Sequence, residues 1–244
     1  IIWRQLRHRN VLPFIGVCDN LMTEVNLLVS PWMDNGDLST FMKKYEEGGR
    51  YVDGIDFVPS GLEYLHSQDP QILHCDLRAG NIVVNEKLEL LIIDFGVANY
   101  SQIKSQKMSD PNSAGTLHWM APELFDPPPG SKATTGSSKS DVYAYAMTCF
   151  EIFSGTMPFS ELPRPVAVMH QVLNGKRPRR PRGNADMRGL NDYVWSLIEA
   201  CWSHETTKRP SMTDVLRSLD KMENHSVLIV SIMLHRVVSW QICV

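Results

Sequence analysis

Apolar positions recur along the chain in a pattern that predicts helices and strands in a definite order. Ile1, Ile2 and Leu6, with Arg4 and Arg7 among them, suit the last turns of an amphipathic helix. Val17-Cys18 and Leu27-Leu28-Val29 read as two strands around a turn at Asp19-Asn20. Asp34 to Leu38 opens a helix, with Asp37 as a first-turn acid. From Tyr51 to His66 the apolar residues Ile55, Val58, Leu62 and Leu65 fall at helical spacing, and Pro59 inside that run predicts a kink. His66 reads as a helix-end residue. Ile82-Val83-Val84 and Leu88 to Ile93, separated by Asn85-Glu86-Lys87, predict a hairpin.

The second half is mostly helical in pattern. Ser140 to Phe153 is almost wholly apolar, which predicts a helix buried on every face. Val166–Leu173 and Tyr193–Trp202 are further helices, and Ser211 is the N-cap of a last one. Between them Gly175-Lys176-Arg177-Pro178-Arg179-Arg180-Pro181-Arg182 reads as a solvated, proline-stiffened connection. Ser101 to Ser113 is too polar to bury itself, and Asp126 to Ser138 is a Pro-, Gly- and Ser-rich insertion.

Composition adds limits. An apolar share of 43% with 21% charged residues in 244 residues predicts a packed globular chain of one large domain or two lobes. A net charge of −3 does not favour a nucleic-acid partner. Cys18, Cys75, Cys149, Cys201 and Cys243 are scattered, with no metal-ligand spacing. They read as reduced thiols and, with no signal peptide in view, imply a cytoplasmic setting. Val227 to Val244 is interrupted by His235, Arg236 and Gln241 and falls short of the ~20 apolar residues of a membrane span, so no membrane role is expected.

The chemistry concentrates between Ile72 and Gly96. Asp76 and Asn81 share one short loop, and the hairpin that follows Asn81 returns Asp94 beside it. Hard oxygen donors of this kind suit Mg²⁺, which takes one or two carboxylates and draws its other ligands from water and substrate phosphates.

His74-Cys75-Asp76-Leu77-Arg78-Ala79-Gly80-Asn81, Asp94-Phe95-Gly96, Ala121-Pro122-Glu123 and Asp141 resemble, in order and spacing, the signature set of protein kinases. His8-Arg9-Asn10-Val11 through Gly16 resembles the connection after the kinase C-helix, and the likeness runs over about residues 1 to 222. It implies an α+β, protein-kinase-like fold with a mostly helical carboxy-terminal lobe (34–225), a truncated β-rich amino-terminal lobe (1–33) and a tail (226–244). It further implies Asp76 as the base for the substrate hydroxyl, Arg78 near the transferred phosphate, Asn81 and Asp94 as Mg²⁺ ligands, Ser30 as gatekeeper and Met33 at the ATP hinge. Asp141 would bind catalytic-loop amides, Glu123 would pair with Arg209, and His74 and Phe95 would stack in the column between lobes. Gly115-Thr116 before Trp119-Met120-Ala121-Pro122-Glu123 is similar to serine/threonine kinases of the tyrosine-kinase-like group, so the partners implied are ATP and a protein substrate.

Two departures qualify the likeness. Cys75 stands where the family has the Arg that meets an activation-loop phosphate through a charge-assisted fork. Phosphorylation of Ser105, Ser109 or Ser113 is therefore not expected to be the switch. The 244 residues also hold neither a Gly-rich phosphate loop nor a Val-Ala-x-Lys strand, and Ile1 starts as if cut from something longer. Efficient transfer needs that Lys and its Glu partner. The reading is a protein kinase domain whose nucleotide site is incomplete in these residues. A pseudokinase-like binding module and a non-catalytic relic are the alternatives.

Overall fold

The computed structural model describes residues 2–20, 25–46, 57–95, 113–127, 136–162 and 164–226. The expectations for 101–112, for 128–135 and for 227–244 lie outside the described residues.

Two strands, β1 (Gly16–Asn20) and β2 (Val25–Val29), pair antiparallel with Gly16 opposite Val29. Asp19 and Asn20 are strand residues opposite Asn26 and Val25, not the turn that the polar pair predicted. A 3₁₀ turn, Ile2–Gln5, precedes them in place of the expected α-helical end. Next come α1 (Leu38–Glu46) and α2 (Phe57–His66), then the hairpin of β3 (Ile82–Val84) and β4 (Leu90–Ile92), which sets Ile82 opposite Ile92. Leu88 sits in the turn with φ +62° and is not part of the strand.

Asp37 caps α1 from outside the helix. Its carboxylate accepts from Thr40 N at 3.0 Å and from Thr40 Oγ1 at 2.7 Å, where the sequence suggested a first-turn acid. Pro59 is the third residue of α2 as described, in the first turn, where backbone N–H groups have no intrahelical acceptor.

The remaining helices are α3 (Pro122–Phe125), α4 (Ser138–Ser154), α5 (Pro165–Leu173), α6 (Asn184–Met187), α7 (Asp192–Cys201) and α8 (Met212–Ser226). The chain is α+β and mostly helical, with its core around α4. Every residue of α4 from Ser140 to Phe153 is buried, as its unbroken apolar run predicted. Ser137 and Ser140 close a reciprocal cap at its start, and Gly155 at φ +72° ends it. Helix α7 packs on α4, while α8 packs along α2 and is capped by Ser211, whose Oγ accepts from Asp214 N at 3.2 Å. Burial pushes the Cys149 thiol up to about 12 and raises Cys201 as well, so both behave as inert core residues.

The basic connection after α5 is less solvated than its composition suggested. Arg177 donates to Trp202 O at 2.8 Å and lies over the Tyr143 ring, Pro178 is buried, and Arg180 pairs with Asp192.

The amino-terminal segment is bound to the hairpin by backbone. Leu12 N donates to Ile92 O at 3.0 Å and Ile92 N to Asn10 O at 2.9 Å, while the buried Asn10 side chain donates to Leu90 O. On the other side Val84 N donates to Gly36 O. Gly61 makes this seam possible: a Cβ there would lie 2.7 Å from Asn10 O and 2.9 Å from Ile92 Cδ1. Because the nearest atom is backbone, Gly61→Ala is expected to destabilise by about 1–3 kcal/mol, read as a lower urea midpoint at unchanged slope.

Candidate active site

Asp141, in the first turn of α4 and 1% exposed, gathers the start of the 74–81 loop. Its Oδ2 accepts from His74 N and its Oδ1 from Cys75 N, each at 2.8 Å, as the likeness implied. His66, the last residue of α2, adds an Nε2 contact at 2.8 Å to Oδ2. Cys75 adopts φ +66°, a left-handed conformation, as two successive N–H groups turn toward one carboxylate. Gly136 packs close by: a Cβ on it would be 3.0 Å from Cys75 Sγ.

His74 is fully buried and accepts from Asp76 N at Nδ1. Burial lowers its pKa, so the ring is neutral and structural, not a base. The Phe95 ring lies edge-on to Trp3 at 6.1 Å, carrying the apolar column into the amino-terminal segment.

Asp76 is partly exposed and held from behind. Asn81 Nδ2 donates to the Asp76 backbone O at 2.7 Å and to Asp76 Oδ2 at 3.1 Å. Arg78 brings its Nε to 4.0 Å from Asp76 Oδ2, and Gly80 leaves room for it, since a Cβ there would lie 2.7 Å from Arg78 Nη1. Ile93 N donates to Asn81 O at 3.1 Å, which sets the exposed Asp94 next to Asn81 at φ +56°. Met33 packs on Leu12, Val83 and Leu91, the apolar back of the same hairpin. Trp32, beside it, is 86% exposed and is not a core residue. Asp76, Arg78, Asn81 and Asp94 therefore form one group, with Met33 at its apolar edge.

The donor set fits Mg²⁺. Asn81 spends its amide N–H on Asp76 and retains a carbonyl oxygen, and Asp94 supplies a carboxylate. Among the described residues no group of three or more His, Cys, Asp or Glu could hold a metal by itself.

The segment from Gly115 to Glu123, which by the likeness would be the peptide-docking segment, is anchored separately. Glu123 and Arg209 form a bidentate pair at 2.7 and 2.8 Å, and the Arg209 side chain is fully buried. Its guanidinium also donates to Ser203 O and Lys139 O and lies over the Tyr143 ring.

Sequence reading passed over Glu151. It is an acid within the apolar run of α4, and that break in the pattern was the available signal. Its Oε2 accepts from Ala79 N at 3.0 Å and from Trp119 Nε1 at 3.1 Å. Burial raises the Glu151 carboxyl to about 7, partly offset by those donors and by Arg78 and Lys43. The folded-state value lies above the ordinary 4.5, so the stability it contributes is present below that value and is lost as pH rises through about 7. From pH 5.5 to 8 wild type is expected to lose roughly 1–3 kcal/mol relative to Glu151→Gln. Parallel stability profiles for the two proteins would contradict this.

The family model for protein tyrosine and serine/threonine kinases matches residues 1–219, and the chain belongs to the protein kinase family. It is 32% identical to the serine/threonine-protein kinase CTR1 of Arabidopsis thaliana over 231 residues, covering 90% of this chain and 26% of that protein. Similarity to STY17 of the same plant is 29% over 225 residues, covering 91% of this chain and 36% of that kinase. The receptor-interacting serine/threonine-protein kinase 2 of Bos taurus is 29% identical over 231 residues, with 90% and 41% covered. All three of these relatives are named as serine/threonine kinases. The chain spans between about a quarter and two-fifths of their length. Among the described residues no helix is long and apolar enough to cross a membrane.

Proposed function

We propose that this domain transfers the γ-phosphate of ATP to serine or threonine hydroxyls of a protein substrate. The observation that carries the reading is the group around Asp76: a partly exposed carboxylate oriented by Asn81, next to Asp94 and Arg78. Asp76 orients the acceptor hydroxyl and takes its proton. Arg78 offsets negative charge developing on the transferred phosphoryl oxygens. Asn81 and Asp94 hold Mg²⁺, which when bound neutralises the nucleotide phosphates. Met33 borders the nucleotide through the cluster with Val83 and Leu91. The serine/threonine preference is supported by Gly115-Thr116 in the docking segment and by the kinases to which the chain is similar.

The test is phosphotransfer by the full-length protein from labelled ATP with Mg²⁺ to a mixed protein substrate, followed by analysis of the labelled residue. Phosphoserine or phosphothreonine is expected, and label on tyrosine alone would overturn the acceptor class.

A second reading, a pseudokinase-like module that binds partners through the docking segment, is favoured by Cys75, which stands where the family has an Arg. For residues 1–244 alone, one wall of the nucleotide site predicts no saturable thermal shift with Mg-ATP. A clear saturable shift would show that wall to be sufficient.

A further inference from the structure

The connection from Lys176 to Arg182 carries five cations that the proposed reaction leaves unused. Its conformation follows from two prolines three residues apart. Pro178 and Pro181 fix their own φ, and Arg177 and Arg180 before them are confined to extended or polyproline II backbone. Among the described residues, none from Arg177 to Arg182 takes part in a backbone–backbone hydrogen bond, and polyproline II requires none. That conformation repeats every three residues, and burial along the stretch repeats with it. Arg177 and Arg180 are spent within the protein, the first on Trp202 O and the Tyr143 ring, the second on Asp192 and Leu190 O. Pro178 is buried and Pro181 half-buried, whereas Lys176, Arg179 and Arg182 are exposed. Among the described residues, no carboxylate pairs with any of these three. The row is also fixed relative to the docking segment. Helix α5, which leads into it, packs on residues 113–119 and on α3. Arg177 and Arg209 lie over the same Tyr143 ring, and Arg209 is the partner of Glu123.

We propose that Lys176, Arg179 and Arg182 form a docking row for an acidic, extended segment of the protein substrate, away from the hydroxyl that is phosphorylated. The inference rests on the kinase reading above and deepens it by naming a substrate class. Three residues of polyproline II advance about 9 Å, and three of an extended peptide about 10 Å. Carboxylates at every third position of such a peptide therefore match the row. A membrane surface fits less well, since lipid-binding clusters carry about 4–8 basic residues. Nucleic acid is disfavoured by the net charge of −3.

The test titrates the full-length protein with a fluorescein-labelled peptide, Asp-Ala-Ala-Asp-Ala-Ala-Asp, and with its Asn counterpart. An exposed ion pair contributes about 1.5- to 5-fold in affinity, so three together give roughly 3- to 100-fold. Lys176→Ala/Arg179→Ala/Arg182→Ala is expected to weaken binding of the Asp peptide by that factor, and added salt to weaken binding to wild type. The Asn peptide is expected to bind neither protein. Lys176→Glu/Arg179→Glu/Arg182→Glu is expected to bind the corresponding Lys peptide, a gain that misfolding does not produce. In a second arm, dephosphorylated casein, an acidic protein, and myelin basic protein serve as substrates. The triple Ala variant is expected to raise KM for casein by about 3- to 100-fold. Its kcat and its KM for ATP are expected to stay within about 2-fold, the pattern of lost uniform binding. KM for myelin basic protein is expected not to rise.

Equal binding of the Asp peptide by wild type and the Ala variant would overturn the proposal, as would a fall in kcat at unchanged KM for casein. Binding to phosphatidylserine vesicles or poly(U) RNA that the Ala variant loses, with the Asp peptide bound by neither protein, would overturn it in favour of those surfaces. If wild type phosphorylates neither protein, the kinase reading falls and the peptide titration alone decides the row.

Discussion

Asp76→Asn in the full-length protein is expected to reduce phosphoryl transfer by about 10²–10⁴-fold, the usual contribution of a positioned general base. The substitution keeps shape and volume. Asn81 Nδ2 can still donate to the residue-76 backbone O, and the Asp141 bonds to His74 and Cys75 do not involve the changed side chain. The loop therefore keeps its form while losing the group proposed to take the proton. Mg-ATP binding is expected to change little, because Asn81 and Asp94 remain. Residual transfer at wild-type rate would remove Asp76 from its role and with it the carrying observation for kinase activity. A loss of folding in this variant, read by circular dichroism, would instead show that the carboxylate is a structural partner.

The largest effect on stability is expected from the pair beneath the docking segment. Glu123→Ala leaves the fully buried Arg209 guanidinium with carbonyl partners but no counter-charge. Breaking a buried pair from one side costs about 3–5 kcal/mol, which for a domain of this size lowers the melting temperature by roughly 6–20 °C. Arg209→Met, which removes the charge and retains much of the bulk, is expected to cost less because Glu123 is 18% exposed and can rehydrate. Equal and small losses in both variants would mean that the pair is not the anchor its geometry describes.

Local pattern carried the fold far. The buried helix Ser138–Ser154 was legible because an unbroken apolar run admits burial on every face. The hairpin of Ile82–Val84 with Leu90–Ile92 was legible because two apolar triplets flank polar turn residues. Local pattern failed at boundaries. Asp19 and Asn20 read as a turn from their propensity, yet the ladder to Val25 and Asn26 holds them extended. Asp37 looked like a first-turn acid and is a cap, a difference of one residue that composition does not resolve.

By itself the sequence determined the family and the order of elements, and it singled out Asp76, Arg78, Asn81 and Asp94 as the candidate group, because these are matters of residue type and short-range spacing. Tertiary structure alone decided how the group is held. Asp141 and His66 are 75 positions apart yet meet at 2.8 Å, and Glu151 joins Ala79 to Trp119 across gaps of 72 and 32 positions. Contacts of that kind leave only an interruption in an apolar run as their local trace, because they arise when separately formed helices pack and their few buried polar atoms must find partners.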